Sequence, residues 1–242
     1  MDQAYAIEYR NLYQRHWWWR SREAEILRQL DGILGRQGNK AILDVGCGDG
    51  LFFDELQKYG SVIGVEADPN TLTPDGPWKN QIHCQFFNDQ FLPGRKFDAI
   101  LFLDILEHMP DAPVALDHAR TLLNDNGVLI ATVPAFMSLW TSHDDLNHHV
   151  IRYTKKTFCP IVEAANFELL SSRYLFHWTC PAKLAIRLKE TLFGAKPQNP
   201  EVPAQWINQI CLGLTKLEHA TISRLPMPFG SSLMVIAKPR KT

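Results

Sequence analysis

The chain has 242 residues, of which 45% are hydrophobic and 21% charged, and its net charge is −1. That is long enough for one sizeable core and too apolar for a disordered or collagen-like class. The near-neutral balance argues against nucleic acid as a partner, although residues 181–242 carry nine Lys/Arg against three Asp/Glu.

Cys47, Cys84, Cys159, Cys180 and Cys211 are odd in number and never spaced CxxC. This argues against a disulfide framework or a thiolate zinc site and for thiols in a reducing cytoplasm. The first ten residues, MDQAYAIEYR, hold charges and no apolar core of a signal peptide, and no uncharged apolar run of about 18 residues follows, so no membrane span is expected.

In chain order, residues 1–35 have a helical pattern, with Ile26, Leu27, Leu30 and Leu34 at helical spacing before Gly35 and Gly38. Apolar runs at 41–45, 62–65, 82–86, 97–103 and 128–133 read as strands. Helical stretches at 51–58 and 113–123 alternate with them. That alternation predicts a mostly parallel sheet with helices on both faces. A helix over 155–165, a strand over 167–174 and a last strand over 232–237 complete the core. The long connection between those two strands holds several prolines and two amphipathic helix candidates, at 182–193 and 204–222.

Asp44-Val45-Gly46-Cys47-Gly48-Asp49-Gly50 follows a strand and opens a helix, and the next strand ends at Glu66. Glycines let a ligand approach backbone amides closely, and an acid about twenty residues on suits ribose hydroxyls. The spacing is GxGxG, with Leu51 where a dinucleotide fingerprint would have its third glycine, and no P-loop Lys-Ser/Thr follows.

The DVGCGDG stretch resembles the first motif of class I S-adenosylmethionine-dependent methyltransferases. The resemblance continues in GVEADP (64–69), FDAILFLDILEHMPD (97–111) and LLNDNGVLIATVP (122–134). HWWWRSREAEIL (16–27) and LWTSHDDLNHHVIRYT (139–154) are similar to bacterial methyltransferases acting on sugars, lipids and secondary metabolites. The implied fold is α/β: a Rossmann-like, seven-stranded, mostly parallel sheet with an antiparallel last strand. The implied cofactor is S-adenosyl-L-methionine.

Carried over residue by residue, the resemblance sets Gly46, Cys47, Gly48 and Gly50 around the methionine part of the cofactor. Asp44 would orient the loop and the ammonium, and Glu66, with Ala67 beside it, would hold the ribose. Asn88 or Asp89 would meet the adenine amine, and Leu103 and Asp104 would border the transferred methyl. Arg20 or Arg22 could reach the cofactor carboxylate as a bidentate donor.

Two polar clusters fall beyond the carboxyl ends of strands, where open α/β sheets bind ligands. One runs Asp104 to His108; the other runs His143 to His149, with Arg152 and Tyr153 after it. Three roles fit these residue types. His108, His143, His148 or His149 could be a general base near neutral pH. Asp104, Glu107, His108 and a later histidine could hold a hard divalent metal, as in some methyltransferases with a similar ExxEH stretch. Or the histidines only order a loop. The reading carried forward has His108, His143 and His148 as catalytic candidates and no metal.

The expected organisation is a single domain over 1–242, with a helical lid at 1–38, a core of 39–177 and 229–242, and a helical insertion at 178–228. The expected activity is methyl transfer, chiefly to an oxygen of a small molecule, sugar or lipid-linked metabolite. The rivals are an NAD(P)-dependent oxidoreductase and a non-catalytic cofactor-binding protein. The insertion reads either as a roof over the acceptor pocket or, from its basic excess, as a contact with the inner face of the membrane. The expected location is the cytoplasm.

Overall fold

The computed structural model describes residues 10–194, 200–222 and 225–241. Residues 1–9 of the predicted helical lid, and 195–199 and 223–224 of the predicted insertion, lie outside the described residues.

Helix α1 (Trp17–Ile33) leads into β1 (Lys40–Val45), the short α2 (Phe53–Leu56) and β2 (Gly60–Glu66). Then come β3 (Ile82–Cys84), β4 (Phe97–Leu103), α3 (Ala112–Leu122) and β5 (Leu123–Pro134). Beyond these lie α4 (Ser142–Leu146), α5 (Lys155–Ala164) and β6 (Phe167–Leu175). The last elements are α6 (Thr179–Phe193), α7 (Gln205–Ala220) and β7 (Ser232–Pro239).

The seven strands form one sheet in the order β3-β2-β1-β4-β5-β7-β6, as expected of the Rossmann-like class. β1 to β5 pair in parallel, and β7 pairs antiparallel with both β5 and β6. Period-2 alternation feeds two cores. Leu43, Val45, Ile100, Phe102, Leu129 and Val235 pack with Leu116 of α3 and Phe158 and Val162 of α5. Ile42, Leu101, Ile130 and Ile236 pack on the other face with Ile26 and Leu30 of α1 and Phe53 and Leu56 of α2. Asp44 shares the parity of Ile42 and so faces α1.

Strand order reverses between β1 and β4, which opens the crevice at their carboxyl ends. The insertion also meets this end. Leu175 and Pro134 both pair with Ser232, so the chain leaves β6 and re-enters β7 at the carboxyl end of the sheet.

Some boundaries differ from the sequence reading. Residues 51–58 hold only the four-residue α2. Their backbone bonds include the tight Glu55 N–H to Phe52 O and Lys58 N–H to Glu55 O, and the chain must turn into β2 at Gly60. β5 begins at Leu123, because Leu123 already pairs with Phe97 across the Asn-Asp-Asn-Gly bend. Among the described residues, five that are not glycine have left-handed φ: Asp104 (55°), Phe136 (59°), His148 (56°), Asn166 (59°) and Phe176 (58°).

Candidate active site

The glycine loop leaves β1 and is pinned to β2 by Gly46 N–H donating to Val65 O at 2.8 Å. Glu66, at the end of β2, accepts from Gly48 N–H at 2.9 Å with one carboxylate oxygen and from Asp68 N–H at 2.9 Å with the other. Two backbone donors thus fix its orientation and leave one lone pair on each oxygen for a ligand. Gly48 has φ +54°, and a Cβ built there would meet nothing within 4 Å, whereas one at Gly46 would strike Ile105. The Cys47 thiol is pushed well up by burial, next by Asp44 and then by Glu66, so it is no thiolate. Ala67 is exposed beside Glu66.

Asp44 is buried, and burial pushes its carboxyl up to about 7, Glu66 adding to the rise and Arg22 opposing it. Its folded pKa therefore lies above the unfolded value. The stability this group contributes is fully present below about pH 4 and is lost as pH rises through about 7. Asp44→Asn should remove that component. In the ligand-free protein, urea unfolding at pH 4.5 and pH 8 should show the variant's stability falling less with pH, by about 1–3 kcal/mol. A stability difference from the unsubstituted protein that is the same at both pH values would show that Asp44 does not titrate in this window.

Arg22 lies on α1 and forms an ion pair with Asp104, the first residue after β4. Its guanidinium sits 5.1 Å from the centroid of the Trp18 ring. Asp104, in left-handed conformation, donates its own N–H to Thr132 O at 2.9 Å. Leu103 is half-buried at the end of β4. Of the two arginines considered from sequence, Arg22 reaches this crevice. Arg20 is exposed and lines a cavity of about 670 Å³ with Arg10, Glu23, Asp49, Gly50 and Trp78, and none of Gly46, Gly48, Glu66 and Asp104 lines it.

The three adjacent tryptophans are all at least half-buried. Trp17 meets Trp178 at 5.1 Å, Trp18 stacks on Phe176 at 5.7 Å, and Trp19 lies edge-on to His16 at 5.1 Å. Beyond β3, Asn88 is half-buried and its side chain accepts from Gln90 N–H at 3.0 Å, while Asp89 is exposed.

The second cluster is built on Asp144. It is buried, closes a capping box on Thr141, and takes Arg152 in a two-point pair at 2.8 and 2.9 Å. His149 Nδ1 lies 2.8 Å from Oδ1, the oxygen that also accepts from Arg152 Nε. Burial would raise Asp144, but the hydrogen bonds from His149 and Arg152 outweigh it and hold the carboxyl well below the usual range. Thus anchored, His149 presents Nε2 toward Glu107 at 3.9 Å, and its ring stands 4.8 Å from that of His108.

Glu107 is fully buried, neither carboxylate oxygen has a hydrogen-bond partner among the described residues, and burial together with Asp104 raises it well above the carboxylate range. The ligand atoms of Glu107, His108 and His149 lie within 4.8 Å of one another. His108 is held low, first by burial and next by His149. His143 is held down to about 4 by burial, reinforced by Lys183.

His148, a candidate from sequence, is exposed, and its left-handed backbone sends the chain back so that His149 enters the cluster instead. Sequence reasoning also passed over Lys183. On α6, its amine is lowered to about 8 by burial and next by Arg152. The signal available was the spacing of Lys183, Arg187 and Glu190, which lies on one helical face.

A family profile described as a methyltransferase domain matches residues 18–172. A probable S-adenosylmethionine-dependent methyltransferase of Mycolicibacterium smegmatis is 23% identical over 204 residues, covering 82% of this chain and 78% of that protein. A ubiquinone biosynthesis O-methyltransferase of Azorhizobium caulinodans is 28% identical over 130 residues, covering 51% of this chain and 47% of that protein. The match spans about half the length of such relatives. A chain of the complex between the Haloferax volcanii Trm112 methyltransferase activator and a methyltransferase superposes with a TM-score of 0.62. It is 16% identical, with 99% of this chain and 96% of that chain covered.

Proposed function

The chain belongs to the methyltransferase-domain family, whose methyl donor is S-adenosylmethionine, and from that premise we propose that it methylates a hydroxyl oxygen of a small molecule, sugar or lipid-linked metabolite. The observation that carries this reading is the group of half-buried histidines at the crevice where Asp104 and the glycine loop meet. Burial holds His108 and His143 low, so each keeps an unprotonated ring nitrogen that can take a hydrogen bond from an acceptor hydroxyl, at the cost of some basicity. The family assignment displaces the nicotinamide alternative. The names of the distant relatives support oxygen as the acceptor atom.

The residues fit the cofactor. Glu66, fixed by two amides, is placed to accept from ribose hydroxyls. Asp44 and Asp104 offer carboxylates to an ammonium, and Arg22 offers its guanidinium to a carboxylate. The bound cofactor supplies a methyl already activated on sulfonium sulfur. The chain's own task is then to position the acceptor and remove its proton. The lid of α1 and the roof formed by α6 and α7 serve to exclude water from that crevice.

A second reading rests on the orphaned Glu107 carboxylate. Glu107, His108 and His149 would hold a divalent cation, with Asp144 fixing the second nitrogen of His149, an arrangement common behind metal-bound histidines. Such an ion would orient the acceptor and lower the pKa of its hydroxyl.

Transfer of a labelled methyl from S-adenosylmethionine to phenolic, sugar and lipid-extract acceptors tests both readings. We expect label in a hydroxyl compound, a loss of about 10²–10⁴-fold in turnover for His108→Ala or His143→Ala with unchanged cofactor affinity, and little effect of His148→Ala. Cofactor binding without transfer to any acceptor would favour the non-catalytic rival. Loss on chelation with recovery on adding magnesium or manganese would establish the second reading.

A further inference from the structure

A helix on the surface of a globular protein turns its apolar stripe toward the core. Both helices of the insertion do the reverse. α6 is fastened to the body by polar side chains. Arg187 donates to Met137 O and Trp140 O at 3.0 and 2.9 Å, and Glu190 accepts from Ser142 N–H and Oγ at 3.0 and 2.7 Å. Lys183 points the same way, lying one turn before Arg187. The opposite side carries Leu184, Leu188, Leu192 and Phe193; Leu188 is 60% exposed and Phe193 82%.

α7 repeats the pattern. Its inward face holds Asn208, Thr215 and Glu218 around Leu212. Asn208 bonds Trp17 N–H and Arg15 O at 2.8 Å each, and Thr215 and Glu218 accept from Trp178 at 3.1 and 3.0 Å. The outward face presents Trp206, Ile210, Leu214 and Leu217, with Trp206 67% exposed. No helix among the described residues is long and apolar enough to cross a membrane.

We propose that the outward faces of α6 and α7 dock the protein onto the surface of an anionic lipid bilayer. The surface charges of the two helices select this occupant. The outward faces carry Lys189 and Lys216, while the one acid of each helix, Glu190 and Glu218, is turned inward onto the body. One outward lysine on each helix, set beside leucine, phenylalanine and tryptophan, suits the headgroup boundary of an anionic leaflet. A second copy of the chain would set lysine against lysine across a two-fold axis with no acid on either face to answer them. The position is also purposeful. The inward side of α6 is bound to residues 137–142, which follow β5 and lead into Asp144, so a helix docked by its outer side lies next to the acceptor crevice.

Co-sedimentation of the full chain with vesicles tests this, using phosphatidylcholine alone and phosphatidylcholine with phosphatidylglycerol. The chain should partition onto the anionic vesicles at low salt. Leu188→Glu and Ile210→Glu should each lower partitioning by about tenfold or more, and Lys189→Gln and Lys216→Gln each by about fivefold, the worth of one basic residue near an anionic surface. All four positions are exposed, and S-adenosylmethionine affinity measured by calorimetry should be unchanged. Failure of the unsubstituted chain to bind anionic vesicles would overturn the proposal, as would undiminished binding of all four variants. So would a dimer in sedimentation velocity that Leu188→Glu or Ile210→Glu dissociates, since the face would then be a contact between copies.

Discussion

Gly48→Val is expected to abolish measurable binding of S-adenosylmethionine and to leave the protein folded. The left-handed backbone at Gly48 costs a residue with a side chain about 1–2 kcal/mol, a burden that a chain of this size can bear. A Cβ at this position has no atom of the described residues within 4 Å. The branches of the valine would occupy the space over the loop. The strain should also tilt the Gly48 N–H that holds Glu66 at 2.9 Å, so the carboxylate proposed to accept from ribose would lose its alignment. Gly46 would be a poorer probe, because its Cβ would strike Ile105 at 2.6 Å and report on folding instead. Calorimetric titration with circular dichroism of the same sample decides the matter. Unchanged affinity would remove the loop from the cofactor site.

Asp144→Ala should be the most destabilising single substitution in the crevice, by about 3–5 kcal/mol. That is the usual loss when one partner of a buried ion pair is removed and the other charge stays buried. Arg152 is 3% exposed and would keep only its bond to Ala135 O at 3.1 Å. The melting temperature should fall by on the order of 10 °C for a chain of this length. His149 would lose the carboxylate that aims it, so acceptor turnover should fall even well below the melting point. Asp144→Leu combined with Arg152→Met should recover much of the stability and none of the turnover. Thermal and urea melts of the three proteins provide the check. A loss under about 1 kcal/mol for Asp144→Ala would mean that water replaces the pair.

The sheet was legible because each strand announces itself locally. The 41–45 and 97–103 runs are apolar on both faces, as strands covered on both sides must be. The glycine loop and Glu66 were likewise legible as neighbours, and the structure joins them through Gly48 N–H. Three features were not legible. His148 and His149 differ by one position, and a left-handed backbone at His148 decides which ring turns inward; no residue type at that point marks it. Arg20 and Arg22 differ by about half a helical turn, and only the seating of α1 on the sheet selects Arg22. The two-sidedness of α6 and α7 was visible as spacing. Which side turns inward depends on partners far away in sequence, such as Trp17 for Asn208 and Ser142 for Glu190.

The place of β7 sets the order in which the molecule can assemble. It lies between β5 and β6, pairing Leu129 with Ala237 on one side and Tyr174 with Leu233 on the other. During synthesis both neighbours emerge well before it, separated by the whole of α6 and α7. At 5–20 residues per second, β6 presents an open edge for roughly three to eleven seconds and β5 for roughly five to twenty. Unpaired edges of apolar strands invite foreign pairing. The sheet is therefore sealed by a keystone strand that arrives last, and the yield of folded protein should depend on how well those waiting edges are shielded until it does.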